Sequence, residues 1–272
     1  MTIVSDVIGL IEKIAPAALA EKWDNSGLQI GDVNRTVKRI GVALDASLNV
    51  VEQACQDNID LLITHHPLIF TPLKAIDIKA EIGRVIQMAI QHDMAIFAAH
   101  TNLDSAEGGI NDLIAGKLEL EDVRALVTPG HFDSGHTDPK IGMGRIGRLR
   151  EESGLHAFIK KVKTALQLPY LRWAGDPTMT VETVALCSGS GGSLISDFIS
   201  SGAHVYLSGD LRYHDARAVE GTNLALVDVG HFHSEHLVVT YLAERLRRLA
   251  NDNQYNIAVN ASFLEEDPFK VL

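Results

Sequence analysis

Leu61-Leu62-Ile63-Thr64-His65-His66-Pro67 is the stretch on which the fold turns. Four apolar or β-branched residues make a buried strand, and two histidines follow where it stops. Pro67 biases His66 toward extended backbone. Neighbouring side chains of an extended chain point to opposite sides. The two histidines therefore suit two different ions, or one ion if the chain turns between them. A packed histidine beside a solvent-exposed one fits the same pattern. Apolar strands that run out into polar residues are how α/β proteins build sites at the carboxyl edge of a sheet.

Five further runs read as strands: Arg39–Leu44, Met94–Ala99, Val181–Leu186, His204–Leu207 and Leu224–Val229, with Asp60–Thr64 as the sixth. Helical spacing is expected over Ile3–Ala15, Leu48–Asp57, Ile78–His92, Ile110–Lys117, Leu155–Leu166, Leu194–Ser201 and His236–Ala250. Strands alternating with longer helices indicate an α/β protein. The six strands form two trios, RIGVAL, DLLITHHP, MAIFAAHTNLD and then VETVAL, HVYLSGDL, LALVDVGHFHSE. In each trio the second and third strands end in His, Asp or Glu. That pattern implies a duplicated β-α-β unit and two similar α/β halves, with mixed sheets flanked by helices. The boundary is placed near 125, giving halves 1–125 and 126–272. Between the trios, GHFDSGHTDPKIGMGRIGRL reads as loop and short strands.

The totals set limits. A net charge of −11 and no dense Lys/Arg face disfavour nonspecific nucleic-acid binding. No run of apolar residues is long enough for a membrane span. The N-terminal stretch, with Asp6, Glu12 and Lys13 among apolar residues, reads as an amphipathic helix rather than a signal. Cys55 and Cys187 form no CxxC pair and sit in apolar runs, as buried thiols of a reducing compartment do. A cytoplasmic location is expected.

Two more strand ends carry candidate chemistry. Ala98-Ala99-His100-Thr101-Asn102-Leu103-Asp104 offers His100 and Asp104, although Asp104 also fits a helix N-cap. His100 suits a proton shuttle or a group that orients a ligand. Val229-Gly230-His231-Phe232-His233-Ser234-Glu235 opens a helix with His231 and Glu235 four apart, a spacing that puts both on one face. A Ser234 cap with solvated charges is the plainer alternative. Taken together, His65, His66, Asp104, His231 and Glu235 form a mixed N/O set suited to zinc, iron or manganese. Five ligands exceed a mononuclear site, and carboxylates can bridge, so two divalent ions are expected. Two such ions outweigh the two carboxylates and a bridging hydroxide, which favours a small anionic substrate. Gly189, Gly191 and Gly192 lie in a turn that could cradle a phosphate or be a plain tight turn. His214, with Asp210, ends another strand and is a second candidate proton shuttle.

These residues resemble the YbgI-like family, whose members are called dinuclear metal centre proteins or GTP cyclohydrolase 1 type 2 homologs. The matching motifs are WDNSGLQIG at 23–31, ITHHP at 63–67, HTNLD at 100–104, the Gly-rich turn near 189, GDLRYHD at 209–215, GHFHSE at 230–235 and Asp267-Pro268-Phe269. The resemblance implies the same five metal ligands, a duplicated two-part α/β fold and a toroidal homohexamer with its metal sites facing an internal cavity. It assigns no role to His233 or His236. Two functions stay open: a two-metal hydrolase of a nucleotide-like or phosphorylated small molecule, and a metal chaperone that hands its ion to an acceptor.

Overall fold

The computed structural model describes residues 1–128, 138–262 and 264–271. Part of the Gly- and His-rich stretch, 129–137, lies outside the described residues. In chain order the elements are α1 (Val4–Ile14), β1 (Gly27–Ile30), β2 (Arg39–Ala43), α2 (Leu48–Gln56), β3 (Leu61–Thr64), α3 (Glu81–Gln91), β4 (Ala95–Ala98) and α4 (Thr101–Ser105). Next come α5 (Ile110–Lys117), β5 (Glu121–Val127), β6 (Met143–Gly154), α6 (Leu155–Ala165), β7 (Arg172–Ala174), β8 (Thr180–Ser190), α7 (Ile195–Ser201) and β9 (Val205–Gly209). They are followed by α8 (Tyr213–Ala218), β10 (Ala225–Asp228), α9 (His231–Glu235), α10 (Leu237–Asp252) and β11 (Ala258–Ala261). Among the described residues no helix is long and apolar enough to cross a membrane.

The chain divides into two compact units, Met1–Leu103 with His236–Leu272, and Asp104–Glu235. This differs from a single cut near 125. The reason is the return of the C-terminal segment: β11 pairs in parallel with β2, and α10 packs on β2, β11 and α1. Sequence periodicity reveals the helix but neither the strand that follows it nor the sheet they rejoin.

The first unit carries a five-stranded sheet in the order β1-β4-β3-β2-β11, parallel except for β1. All four residues of β3 and of β4 are buried. Burial on both faces explains why these strands read as unbroken apolar runs. On α2, Val50, Val51 and Ala54 pack with Leu62, Val85, Ala89, Met94 and Ile96 in one core. α1 buries Val4, Val7, Leu10, Ile11 and Ile14, the helical spacing seen in sequence. The Asp6 carboxylate accepts the Ile3 N–H at 2.9 Å and closes the start of this helix. Asn58 (φ 52°) and Asp93 (φ 53°) end α2 and α3 in the left-handed region and turn the chain into β3 and β4.

The second unit carries a six-stranded sheet in the order β5-β6-β8-β9-β10-β7. β8, β9 and β10 are parallel, and β6, β5 and β7 run antiparallel to their neighbours. The stretch expected as loop and short strands runs into β6, a strand of 12 residues that begins within it at Met143. Its glycines and charges hide it: Gly144 and Gly147 lie so close to Leu186 and Glu121 backbone oxygens that a Cβ would stand 2.7 and 3.0 Å away. The core packs Phe198 on Tyr206 (ring centroids 5.3 Å apart) beside Ala185, Val219 and Leu226.

The halves correspond element by element. In the first, an antiparallel strand (β1) borders β4, the last of a parallel β-α-β-α-β run, and the five-residue α4 follows. In the second, antiparallel β7 borders β10, the last strand of a like run, and the five-residue α9 follows. The third strands therefore lead into His100-x-x-x-Asp104 and His231-x-x-x-Glu235, with His100 just before α4 and His231 the first residue of α9.

Arg145 is fully buried and spends its guanidinium on five bonds. It pairs with both Asp112 oxygens (2.6 and 3.0 Å) and donates to the carbonyls of Gly142, Gly144 and Ala106 (2.7, 2.8 and 2.7 Å). Replacing Arg145 with Ala leaves these groups without their donor. Urea denaturation should show a loss of about 3–5 kcal/mol; a loss under about 1 kcal/mol would show that the network carries no stability.

Candidate metal centre

In the first unit, the site is built at the carboxyl ends of β2, β3 and β4. The His65 and His66 amides donate to Ala43 and Leu44 carbonyls (3.2 and 2.9 Å), which prolongs the ladder with β2. The chain then bends at these two residues, so their rings lie on the same side, centroids 5.0 Å apart. The His100 ring stands 5.2 Å from His65 and 5.6 Å from His66. One ring nitrogen from each of the three lies within 4.8 Å of the others, a group able to hold a metal ion.

Each of these rings is held at Nδ1. The His65 Nδ1 faces the Ala99 carbonyl at 2.9 Å, His66 the Asp45 carboxylate at 2.9 Å, and His100 the Asp24 carboxylate at 2.8 Å. A carbonyl or ionised carboxylate only accepts, so Nδ1 carries the proton and Nε2 keeps its lone pair. This is how metal-binding histidines are oriented. Asp24 is the most connected of the anchors. It also accepts from Ser26 Oγ (2.6 Å), Thr101 Oγ1 (2.6 Å) and the Thr101 and Asn25 amides (3.2 and 2.7 Å). Burial alone pushes the Asp24 carboxyl up, but bonds from His100, Ser26 and Thr101 and the His100 charge hold it far below the usual carboxylate range.

The second unit supplies its own group at the ends of β8, β9 and β10. On α9, His231 Nε2 lies 2.9 Å from Glu235 Oε2, so nitrogen and carboxylate converge on one point. His231 Nδ1 is held by Asp210 at 2.8 Å, the same arrangement as in the first unit. Asp104 is positioned by Ser188 Oγ (3.3 Å), and its carbonyl accepts from Asn111 Nδ2 (3.0 Å). The Asn111 Oδ1 in turn accepts the Ser188 amide at 2.8 Å. Burial, with the charges of Asp104 and Glu235, pushes the Cys187 thiol far up, so it stays protonated. Asp104 and Glu235 are themselves buried. Anchored imidazoles and oriented carboxylates, with no thiolate, fit a divalent ion of the zinc, iron or manganese kind.

Residues 2–268 match the family model Duf34/NIF3 (NGG1p interacting factor 3). The chain belongs to the DUF34/NIF3 family. It is 32% identical to the GTP cyclohydrolase 1 type 2 homolog of Clostridium perfringens, over 98% of this chain and 99% of that protein. A Bacillus cereus protein related to NIF3 superposes with TM-score 0.92 at 27% identity, covering 100% of both chains. The protein ybgI, at 20% identity, shares the fold (TM-score 0.78, 97% and 99% of the two chains).

Other residues read from sequence sit differently in this DUF34/NIF3 chain. The Gly189 amide donates to Ser234 Oγ (2.9 Å) and the Gly191 amide to Ser208 Oγ (3.0 Å). Those two N–H groups are bonded inside the protein, as in the plain tight turn that is one of the two readings of this segment. Gly189 has another task. A Cβ there would lie 2.0 Å from Glu235 Oε1, and its φ is 63°, so only glycine lets β8 close on that carboxylate. Gly192 opens a short turn near Asp215. His214 is exposed on α8, edge-on to Tyr213 at 5.4 Å, and belongs to none of the ion-holding groups among the described residues. His233 stands 6.0 Å from the Tyr170 ring, and His236 Nε2 lies 3.7 Å from Glu265. The anchors Asp24 and Asp45 carried no role in the sequence reading, and Asp210 was set beside His214 rather than His231; their partners lie 76, 21 and 21 residues away along the chain.

Gly189→Ala should cost about 1–3 kcal/mol through backbone strain and displacement of Glu235, read by urea denaturation. Parent-like stability with weakened phosphate binding would instead restore the phosphate-cradle reading.

Proposed function

We propose that this protein binds two divalent metal ions through His65, His66, Asp104, His231 and Glu235 and hydrolyses a nucleotide-like or phosphorylated small molecule. The reading rests on the anchored donors described above, on the family, and on the name of the Clostridium perfringens relative. Bound ions supply positive charge for an anionic substrate and Lewis acidity at its reacting oxygen.

The observation that supports an enzyme over a store is the placement of His100. His100 precedes α4 in the first half, one position before the place that His231 holds at the start of α9 in the second, and it stands outside the five ligands. Its Nδ1 is fixed by the well-bonded Asp24, which orients the ring and leaves Nε2 to face a bound molecule. His100 therefore takes and returns a proton at Nε2, while Asp45 and Asp210 orient His66 and His231. The assembly we propose is a toroidal homohexamer in the cytoplasm. One observation favours metal transfer as the second reading: the side chains of His231 and its anchor Asp210 are 35% and 50% exposed, open to an acceptor.

Elemental analysis should find about two ions per chain, with clear losses in His65→Ala and Glu235→Ala. Metal-loaded protein should turn over at least one member of a panel of GTP, cyclic nucleotides and dinucleotides. His100→Gln should keep its ions and lose about 10²–10⁴-fold in kcat. Loss of metal from that variant would make His100 a ligand. Loaded protein that is inert across the panel but gives its ions to an acceptor would establish the transfer reading.

A further inference from the structure

Trp23 and Phe70 are large aromatic side chains left 60% and 57% exposed. Their rings touch, centroids 5.9 Å apart and tilted by 55°. Both stand edge-on to His100, at 6.1 and 6.3 Å. Exposed aromatic surface is unfavourable in water, and a pair beside a polar cluster marks a binding surface more often than an accident of packing.

The loops that carry the two rings are fastened together. Asn25 Nδ2 donates to the Ile69 carbonyl (2.6 Å) and to Gln29 Oε1 (3.2 Å). The Ile69 amide donates to the same Gln29 Oε1 (3.2 Å), and Gln29 Nε2 returns to the Asn25 and Gly27 carbonyls (2.7 and 3.2 Å). On the other side of Trp23's segment, Asp24 is tied to Thr101 and His100. The rings are thus held before any ligand arrives, which removes the ordering cost that loose side chains would impose.

We propose that Trp23 and Phe70 form a stacking platform for a flat heteroaromatic ring of a small ligand, setting that ring beside His100. The apolar ring faces supply stacking, and the imidazole edge suits a ring with hydrogen-bonding atoms on its rim. This deepens the proposed function by naming what part of the substrate is read, and the link to catalysis rests on that reading. The platform itself lies wholly within the first unit and needs no ion.

The chain has two tryptophans, so a Trp173→Phe background makes emission report Trp23 alone. The full-length protein is titrated with guanosine 5′-monophosphate, and with ribose 5-phosphate as the ringless control, both EDTA-treated and metal-loaded. Saturable quenching by the nucleotide in both samples, and none by the sugar phosphate, is expected. Phe70→Ala should weaken nucleotide binding by about tenfold or more, with unchanged metal content and circular dichroism. Equal response to both probes, or none, overturns the platform. So does Trp23 emission that shifts with protein concentration and ignores the nucleotide, which would assign these rings, with Leu73, Ile76 and Ile78, to a second copy of the chain. Metal content of the same samples keeps the two claims apart. Quenching by protein that takes up no metal on loading leaves the platform standing and sinks the dinuclear reading; metal uptake without quenching in either sample does the reverse.

Discussion

An imidazole has two nitrogens, and committing one decides what the other can do. Here four histidines at strand ends each give Nδ1 to a fixed acceptor: the Ala99 carbonyl for His65, and Asp45, Asp24 and Asp210 for His66, His100 and His231. The remaining Nε2 lone pairs are aimed rather than free to rotate. Such anchors are worth about 10–100-fold in metal affinity. Each one depends on a strand ending where it does. His65 is held by Ala99 only because β3 and β4 are parallel neighbours, and His66 by Asp45 only because β2 lies on the other side of β3.

Duplication explains why the pattern occurs twice. Each half places an antiparallel edge strand beside the third strand of a parallel trio, then turns into a five-residue helix. A histidine at or just before the start of that helix and a carboxylate four residues later fall on one face. The halves have since diverged. His231 lies 2.9 Å from Glu235 within α9, whereas His100 groups with the histidine pair of β3. Neighbouring scaffold positions, one residue apart, thus carry a candidate ligand in one half and a candidate proton carrier in the other.

The trios of strands and most helices were legible because fully buried parallel strands read as apolar runs and the helices keep an apolar stripe. β1 and β7 were not, because they are short and only partly buried, so no alternation marks them. β6 was masked by glycines that serve close strand approach. The return of α10 and β11 to the first sheet is a matter of topology, which local pattern does not encode. At the site, residue types at strand ends named five candidate donors. The carboxylates that orient them were silent, since an aspartate becomes an anchor only when folding brings a distant histidine to it. The glycine turn stayed open between two readings for a related reason: a Gly-rich strand-to-helix turn looks the same whether its amides face a ligand or neighbouring serines.

The most direct test of the anchored-donor account is a crystal structure of the metal-replete protein with anomalous scattering recorded at the metal edge. The account predicts two peaks about 3.5–4 Å apart, with His65, His66 and His231 all bound through Nε2 and their Nδ1 contacts intact. A single peak, or any of those three rings turned to bind through Nδ1, would contradict it.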